Sequence, residues 1–205
     1  MKFLKGSFVA GLMVLGIVNF LSFVSAAEDT YYTKVNIWYE DPGKIVSTNY
    51  HRGAILPYGS KVNSLSISGQ KIKFTVEDPS GVTFVLTNMA KHSLKDAKEL
   101  SSDYFTKDNP KVSGGEFSKF SGKEKDNIEN GTLEEGMSKE AVIAAYGYPP
   151  KHKTPTLSSN LWTYWDARAV RRLATFKNNK LTKHEEVNEY EESGGYHPRW
   201  YHYVP

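Results

Sequence analysis

Gly136-Met137-Ser138-Lys139-Glu140-Ala141-Val142-Ile143-Ala144-Ala145-Tyr146-Gly147-Tyr148-Pro149-Pro150 carries both the start and the stop of one short helix. Ser138 is a favoured N-cap, because its hydroxyl accepts from a backbone N–H left unpaired in the first turn. Glu140 places a negative charge near the positive end of the helix dipole. A capping box would put Glu or Gln three residues after the cap, where Ala141 stands, so the start is capped once and not reciprocally. Val142, Ile143 and Tyr146 form an apolar stripe of helical period. Gly147 suits the left-handed residue that ends a helix, and Pro149-Pro150 forbid its resumption. The stretch predicts a short amphipathic helix and by itself states no chemistry.

The neighbours of this helix turn it into a fold. Before it, Lys123 to Glu129 predicts a second short helix with Ile128 as its core contact. After it, a Lys-, Thr-, Pro- and Ser-rich loop from His152 to Ser159 leads to three strand candidates. Asn160 to Trp165 is the first, Asp166-Ala167-Arg168 turns the chain, and Val170 to Lys177 is the second. Asn178-Asn179 is a hairpin turn that tolerates positive φ, and Leu181 opens the third strand. Residues 123–190 therefore predict a two-helix, three-stranded antiparallel unit with the helices on one sheet face. Alternation turns Trp162 and Tyr164 toward the helices and places Trp165, with Arg171 and Leu173, on the other face. Those three are candidate protein-binding residues, with intramolecular cover as the plain alternative.

Residues 28–90 read differently, as short strands between tight turns. Val35, Ile37 and Tyr39 alternate before the break at Asp41-Pro42-Gly43-Lys44. Val62, Leu65 and Ile67, then Ile72, Phe74 and Val76, then Val82 to Leu86 follow, punctuated by Ser68-Gly69-Gln70 and Asp78-Pro79-Ser80-Gly81. This pattern predicts a small β-barrel or sandwich, and the whole chain is expected to be α+β. Residues 91–122 predict a partly ordered connector, with a brief helix at Leu94 to Leu100 and lone aromatics Phe117 and Phe120 that dock on a neighbouring domain.

Two resemblances follow from these residues. Ile128-Glu129-Asn130-Gly131, the Gly136-Met137-Ser138 helix start, the Gly147-x-Pro149 stop, Asn160-Leu161-Trp162-Thr163-Tyr164 and Phe176-Lys177-Asn178-Asn179-Lys180-Leu181 resemble the SmpA/OmlA (BamE-like) outer-membrane assembly lipoproteins. This resemblance spans the C-terminal third. It implies a non-catalytic module of the bacterial envelope that contacts protein partners and sometimes lipid. The chain departs from that family in having no lipobox cysteine and in its β-rich N-terminal half. The same layout is similar to the repeat of secreted β-lactamase inhibitor proteins. Leu56-Pro57-x-Gly59-x-x-Val62 resembles a turn of bacterial SH3-like domains, which implies a cell-wall-binding alternative.

Composition bounds the function classes. Lys2 and Lys5 precede an apolar run from Phe8 to Val24 and small residues at Ser25-Ala26-Ala27, the order of a secretory signal peptide in residues 1–26, with cleavage expected near Ala26 or Ala27. An uncleaved anchor is the alternative reading of that run. The 205 residues contain no cysteine, which removes thiol nucleophiles, disulfides and a lipid-modified cysteine. Cleavage would take two of the 26 basic residues and leave 24 against 23 acidic ones. That balance gives no electrostatic case for binding nucleic acid or anionic membranes in bulk, and peripheral membrane contact stays open on other grounds.

His184-Glu185-Glu186 lacks the second His that a zinc-protease helix needs, since Asn188 stands there. Elbow, P-loop and dinucleotide fingerprints are absent. The expectation is a non-enzyme without cofactor or metal, bound to an envelope protein or peptidoglycan, its oligomeric state unassigned. The aromatic tail 191–205 offers Trp200 and Tyr201 as further candidate contact residues. Its His197 and His202 have no carboxylate beside them and make a poor metal site.

Overall fold

The computed structural model describes residues 30–188, so the expected signal segment, the aromatic tail and its Trp200 and Tyr201 lie outside the described residues. The fold is mixed α+β: a curled six-stranded sheet forming a half-barrel, a three-stranded antiparallel sheet and a few helices. The N-terminal strands are β1 (Tyr31–Thr33), β2 (Ile37–Tyr39), β3 (Ile45–Val46), β4 (Ala54–Leu56), β5 (Lys61–Ser68), β6 (Lys71–Val76), β7 (Thr83–Thr87) and β8 (Phe105–Thr106). The half-barrel runs in the order β3-β7-β6-β5-β1-β8, and β2 pairs separately with β4. Helices α1 (Ala90–Ser93), α2 (Ala97–Tyr104), α3 (Gly122–Asn130) and α4 (Lys139–Tyr146) precede strands β9 (Leu161–Ala167), β10 (Val170–Lys177) and β11 (Lys180–Asn188).

The alternation read in the sequence becomes the half-barrel core. Val62, Ile72, Phe74, Val76, Phe84 and Leu86 are all buried, because opposite partners such as Phe74 and Phe84 share a face. The segment expected to be a connector is a structural part of this half. Leu100 and Tyr104 of α2 enter the same core, and β8 closes the sheet edge on β1. The helix starts at Ala97 and not at Leu94, since Asp96 accepts the Glu99 N–H at 2.7 Å and Leu94 adopts a positive φ of 54°. Phe117 and Phe120 pack on the second core beside Tyr58.

In the second half, Trp162, Tyr164, Ala174, Phe176 and Leu181 meet α3 and α4, as the alternation requires. The expected turn at Asp166-Ala167-Arg168 is displaced: β9 runs on to Ala167, and Asp166 is a buried strand residue. Its carboxylate is held there by side chains from three other elements, as described below.

Helix α4 is buried nearly all round, beyond the single stripe expected of it. Ala141, Ala144 and Ala145 join Val142 and Tyr146 in the interior. The small alanines let the N-terminal half approach closely, and the Asn36 N–H donates to the Ala144 carbonyl at 2.9 Å. Lys139 is also buried; its ammonium donates to the Leu157 and Ser159 carbonyls, both at 2.8 Å, and lies over the Trp162 ring. The N-terminus of α4 has a second cap that the local sequence does not show. Glu124 of α3 accepts from the Ser121 N–H at 3.0 Å through Oε2 and from the Ser138 N–H at 2.8 Å through Oε1, so one carboxylate closes both helix starts.

Candidate functional site

The last four carbonyls of a helix have no partner within it. In α4 the Ile143 carbonyl takes the Gly147 N–H at 2.8 Å, and the other three are met from the N-terminal half. Ala144 receives Asn36 N–H, and Ala145 receives Asn36 Nδ2 at 3.0 Å. Tyr146 receives Asn49 Nδ2 at 3.2 Å and His51 Nε2 at 2.8 Å. Asn36 also donates to the Ile128 carbonyl at 2.6 Å and accepts the Tyr58 N–H at 2.7 Å, so this one amide joins α3, α4 and the turn after β4. Gly147 and Gly131 mark the closeness of the fit. A Cβ on Gly147 would lie 2.8 Å from Asn49 Nδ2, and one on Gly131 would lie 2.5 Å from Ile55 Cδ1. Both glycines have positive φ.

At the end of this seam sits a charged cluster. Because a carbonyl only accepts, His51 Nε2 is the protonated nitrogen toward Tyr146, and the imidazole stacks on the Tyr146 ring at 3.6 Å. His51 Nδ1 lies 3.2 Å from Asp166 Oδ1, but out of line for a good hydrogen bond, so the contact is one of proximity. Tyr146 donates its hydroxyl to the same oxygen at 3.2 Å, and Arg172 Nε donates to Oδ2 at 2.7 Å. Burial works against the charged form of Asp166, yet the His51 and Arg172 contacts outweigh it and hold the carboxyl below its ordinary value. The side chains of His51 and Asp166 are 2% and 12% exposed. Their polar atoms face one another, and the arrangement joins two halves of the fold.

The largest hollow among the described cavities is of another kind. An open groove of about 860 Å³ lies between the β1–β8 edge of the half-barrel and α4. Tyr32, Phe120, Ile143 and Tyr148 give it aromatic and apolar surface, and Lys34 and Glu140 give it charge of both signs. The loop from Thr106 to Gly115 forms one wall. It is fixed by Asn109 Oδ1, which accepts the Lys111 N–H at 2.9 Å, and by the Pro110 carbonyl, which accepts the Phe117 N–H at 2.9 Å. Tyr58 also lines the groove, its hydroxyl pushed up to about 12 by burial and then by the charge of Glu116.

The candidate residues on the three-stranded sheet fare unevenly. Register places Arg171 opposite Trp165 and Leu173 opposite Thr163, so the three do share a face. Trp165, however, is only 8% exposed, because the His152 ring stacks on it at 5.2 Å and His92 stacks on His152 at 4.6 Å. The aromatic patch left open by the strand pattern is thus closed at this end by the chain itself. Arg171 and Leu173 are half-buried. Glu186 pairs with Arg172 at 3.2 Å.

Among the described residues, no group of three or more His, Asp or Glu side chains is placed to hold a metal ion. Also among them, no helix is long and apolar enough to cross a membrane. No family model, no curated protein sequence and no solved structure matches the chain.

Proposed function

We propose that this chain is a non-catalytic protein-binding or scaffolding module of the cell envelope, exported by its N-terminal segment, and that it seats a partner segment in the groove between the half-barrel and α4. The groove carries this reading. It is open, its wall loop is fixed in advance, and it combines aromatic side chains with charges of both signs. The buried His51–Asp166–Arg172 cluster, by contrast, is occupied with holding the fold.

The finer fold readings have support of the same order. The two helices over three antiparallel strands favour a BamE-like unit, and the curled sheet with its Leu56-Pro57-x-Gly59 turn favours an SH3-like one. The Gly59 N–H donates to the Thr33 carbonyl at 2.9 Å, and its φ is +79°.

Photo-cross-linking in cells tests the proposal. A cross-linking residue at Val112, 52% exposed on the groove wall, is expected to capture one defined envelope protein, and one at Gln70 on the far hairpin none. Capture at Gln70 alone would overturn it. So would co-sedimentation of the full chain with peptidoglycan that Tyr148→Ala leaves unchanged, which would install the cell-wall reading instead.

A further inference from the structure

A second hollow, of about 260 Å³, lies between α2 and the segment that joins α4 to β9. It is separate from the groove, although Tyr148 borders both. Leu100 and Tyr104 of α2 supply one apolar wall, and Tyr148, Pro150 and Leu157 supply another. The polar groups that line it are unusual in what they leave unused. Ser47 Oγ accepts the Met89 N–H at 2.9 Å, and Thr154 Oγ1 accepts the Thr163 N–H at 3.0 Å. Each hydroxyl still has a hydrogen to give, and neither has an acceptor among the described residues, although Ser47 and Thr154 are only 8% and 3% exposed.

Lys95 Nζ donates to both Asp103 oxygens, at 2.8 and 2.6 Å, and retains a third N–H. Lys151 adds a positive charge, so the two lysines outnumber the single carboxylate of Asp103 in the lining. The frame is rigid. Ser93 Oγ donates to Asn88 Oδ1 at 2.7 Å, Asn88 Nδ2 donates to the Lys95 carbonyl at 2.8 Å, and two consecutive prolines hold the opposite side.

Surplus donors, surplus positive charge and apolar walls in one pre-formed hollow describe a single ligand chemistry. We infer that this hollow binds a small amphipathic anion. Its apolar chain or ring lies between Leu100, Tyr104 and Pro150, and its carboxylate accepts from Ser47, Thr154 and Lys95. The volume, just below the usual range of ligand pockets, suits a small body of about ten non-hydrogen atoms.

Titration of the full chain with octanoate, octylammonium and octanol, followed by calorimetry and by backbone amide shifts, tests the assignment. Octanoate is expected to saturate, to move the amides of Lys95, Lys151 and Thr154, and to bind at least ~5-fold more tightly than octylammonium. Lys151→Glu, at an exposed position, is expected to weaken octanoate ~10-fold while amide positions elsewhere stay unchanged. Equal affinity for the three probes, shifts centred outside the hollow, or no saturation below ~10 mM would each overturn the proposal. Loss of the partner captured at Val112 bears on the groove alone, so the two readings fail separately.

Discussion

The two ends of α4 are closed by different parts of the chain. Its N-terminus is met from within its own half, by Ser138 and by the carboxylate of Glu124 on the preceding helix. Its C-terminus is met from the other half, by the amides of Asn36 and Asn49 and the imidazole of His51. Each end follows the sign of the helix dipole, with an acceptor at the start and donors at the finish. The difference separates two jobs. The first end builds the α+β unit, and the second attaches that unit to the half-barrel.

Substitutions that break one end and spare the other sharpen this comparison. The largest effect is expected at Asp166. Asp166→Ala leaves Arg172 with Glu186 alone, takes the shared carboxylate from His51 and the Tyr146 hydroxyl, and should cost about 3–5 kcal/mol in urea unfolding of the full chain. A loss under 1 kcal/mol, within the range of an exposed pair, would show that the cluster is not a tie. Next comes Asn36→Ala, which strands the Ala145 carbonyl and the Tyr58 N–H in the interior and leaves the Ile128 carbonyl only the Gly131 N–H at 3.3 Å. It should cost about 3 kcal/mol by the same measurement.

The smallest of the three is at the other end. Burial would raise the Glu124 carboxyl, but hydrogen bonds from the backbone and hydroxyls of Ser138 and Ser121 outweigh it and bring it to about 2. A carboxyl held below its unfolded value contributes stability that is present above about pH 4.5 and lost as pH falls through about 2. Glu124→Gln should therefore cost about 2 kcal/mol at neutral pH and flatten the fall in melting temperature over that acid window. Part of the fall should persist, because Asp166 is held low for its own reasons. An unchanged acid slope in Glu124→Gln would mean that the shared cap contributes nothing.

The contrast between the two ends also marks what the sequence lets a reader see. Ser138, Gly147 and Pro149-Pro150 punctuate the helix locally and lie in the open, whereas Ser121 and Glu124 have the spacing of a capping box that the reading of a helix from Lys123 passes over. The second role of Glu124 depends on how α3 packs against α4, which no spacing encodes. Asn36 reaches a carbonyl 109 residues away, and in the sequence it is only a polar residue between Val35 and Ile37. The three carbonyls of α4 that the Gly147 stop leaves unpaired were the available signal: they require donors from somewhere, without naming them.

Asp166 was hidden for the opposite reason. Asp beside Ala and Arg reads as a turn, and only its three side-chain partners make it a buried strand residue. The groove was legible in its materials, since Phe120 stood out as a lone aromatic, but not in its shape. Tyr32 and Tyr148 become neighbours of one hollow only after the halves join.

The fastening of α4 by Asn36, Asn49 and His51 has a kinetic side. Contacts that span about a hundred residues of chain require long loops to close before they give anything back, which places this fold among slow folders. Neither half is complete alone: the half-barrel lacks its edge strand and α2 core residues if cut at residue 90, and α4 lacks three carbonyl partners if the first half is removed. The chain is thus expected to unfold in one cooperative transition, and a ligand bound anywhere along the junction would stabilise both halves together.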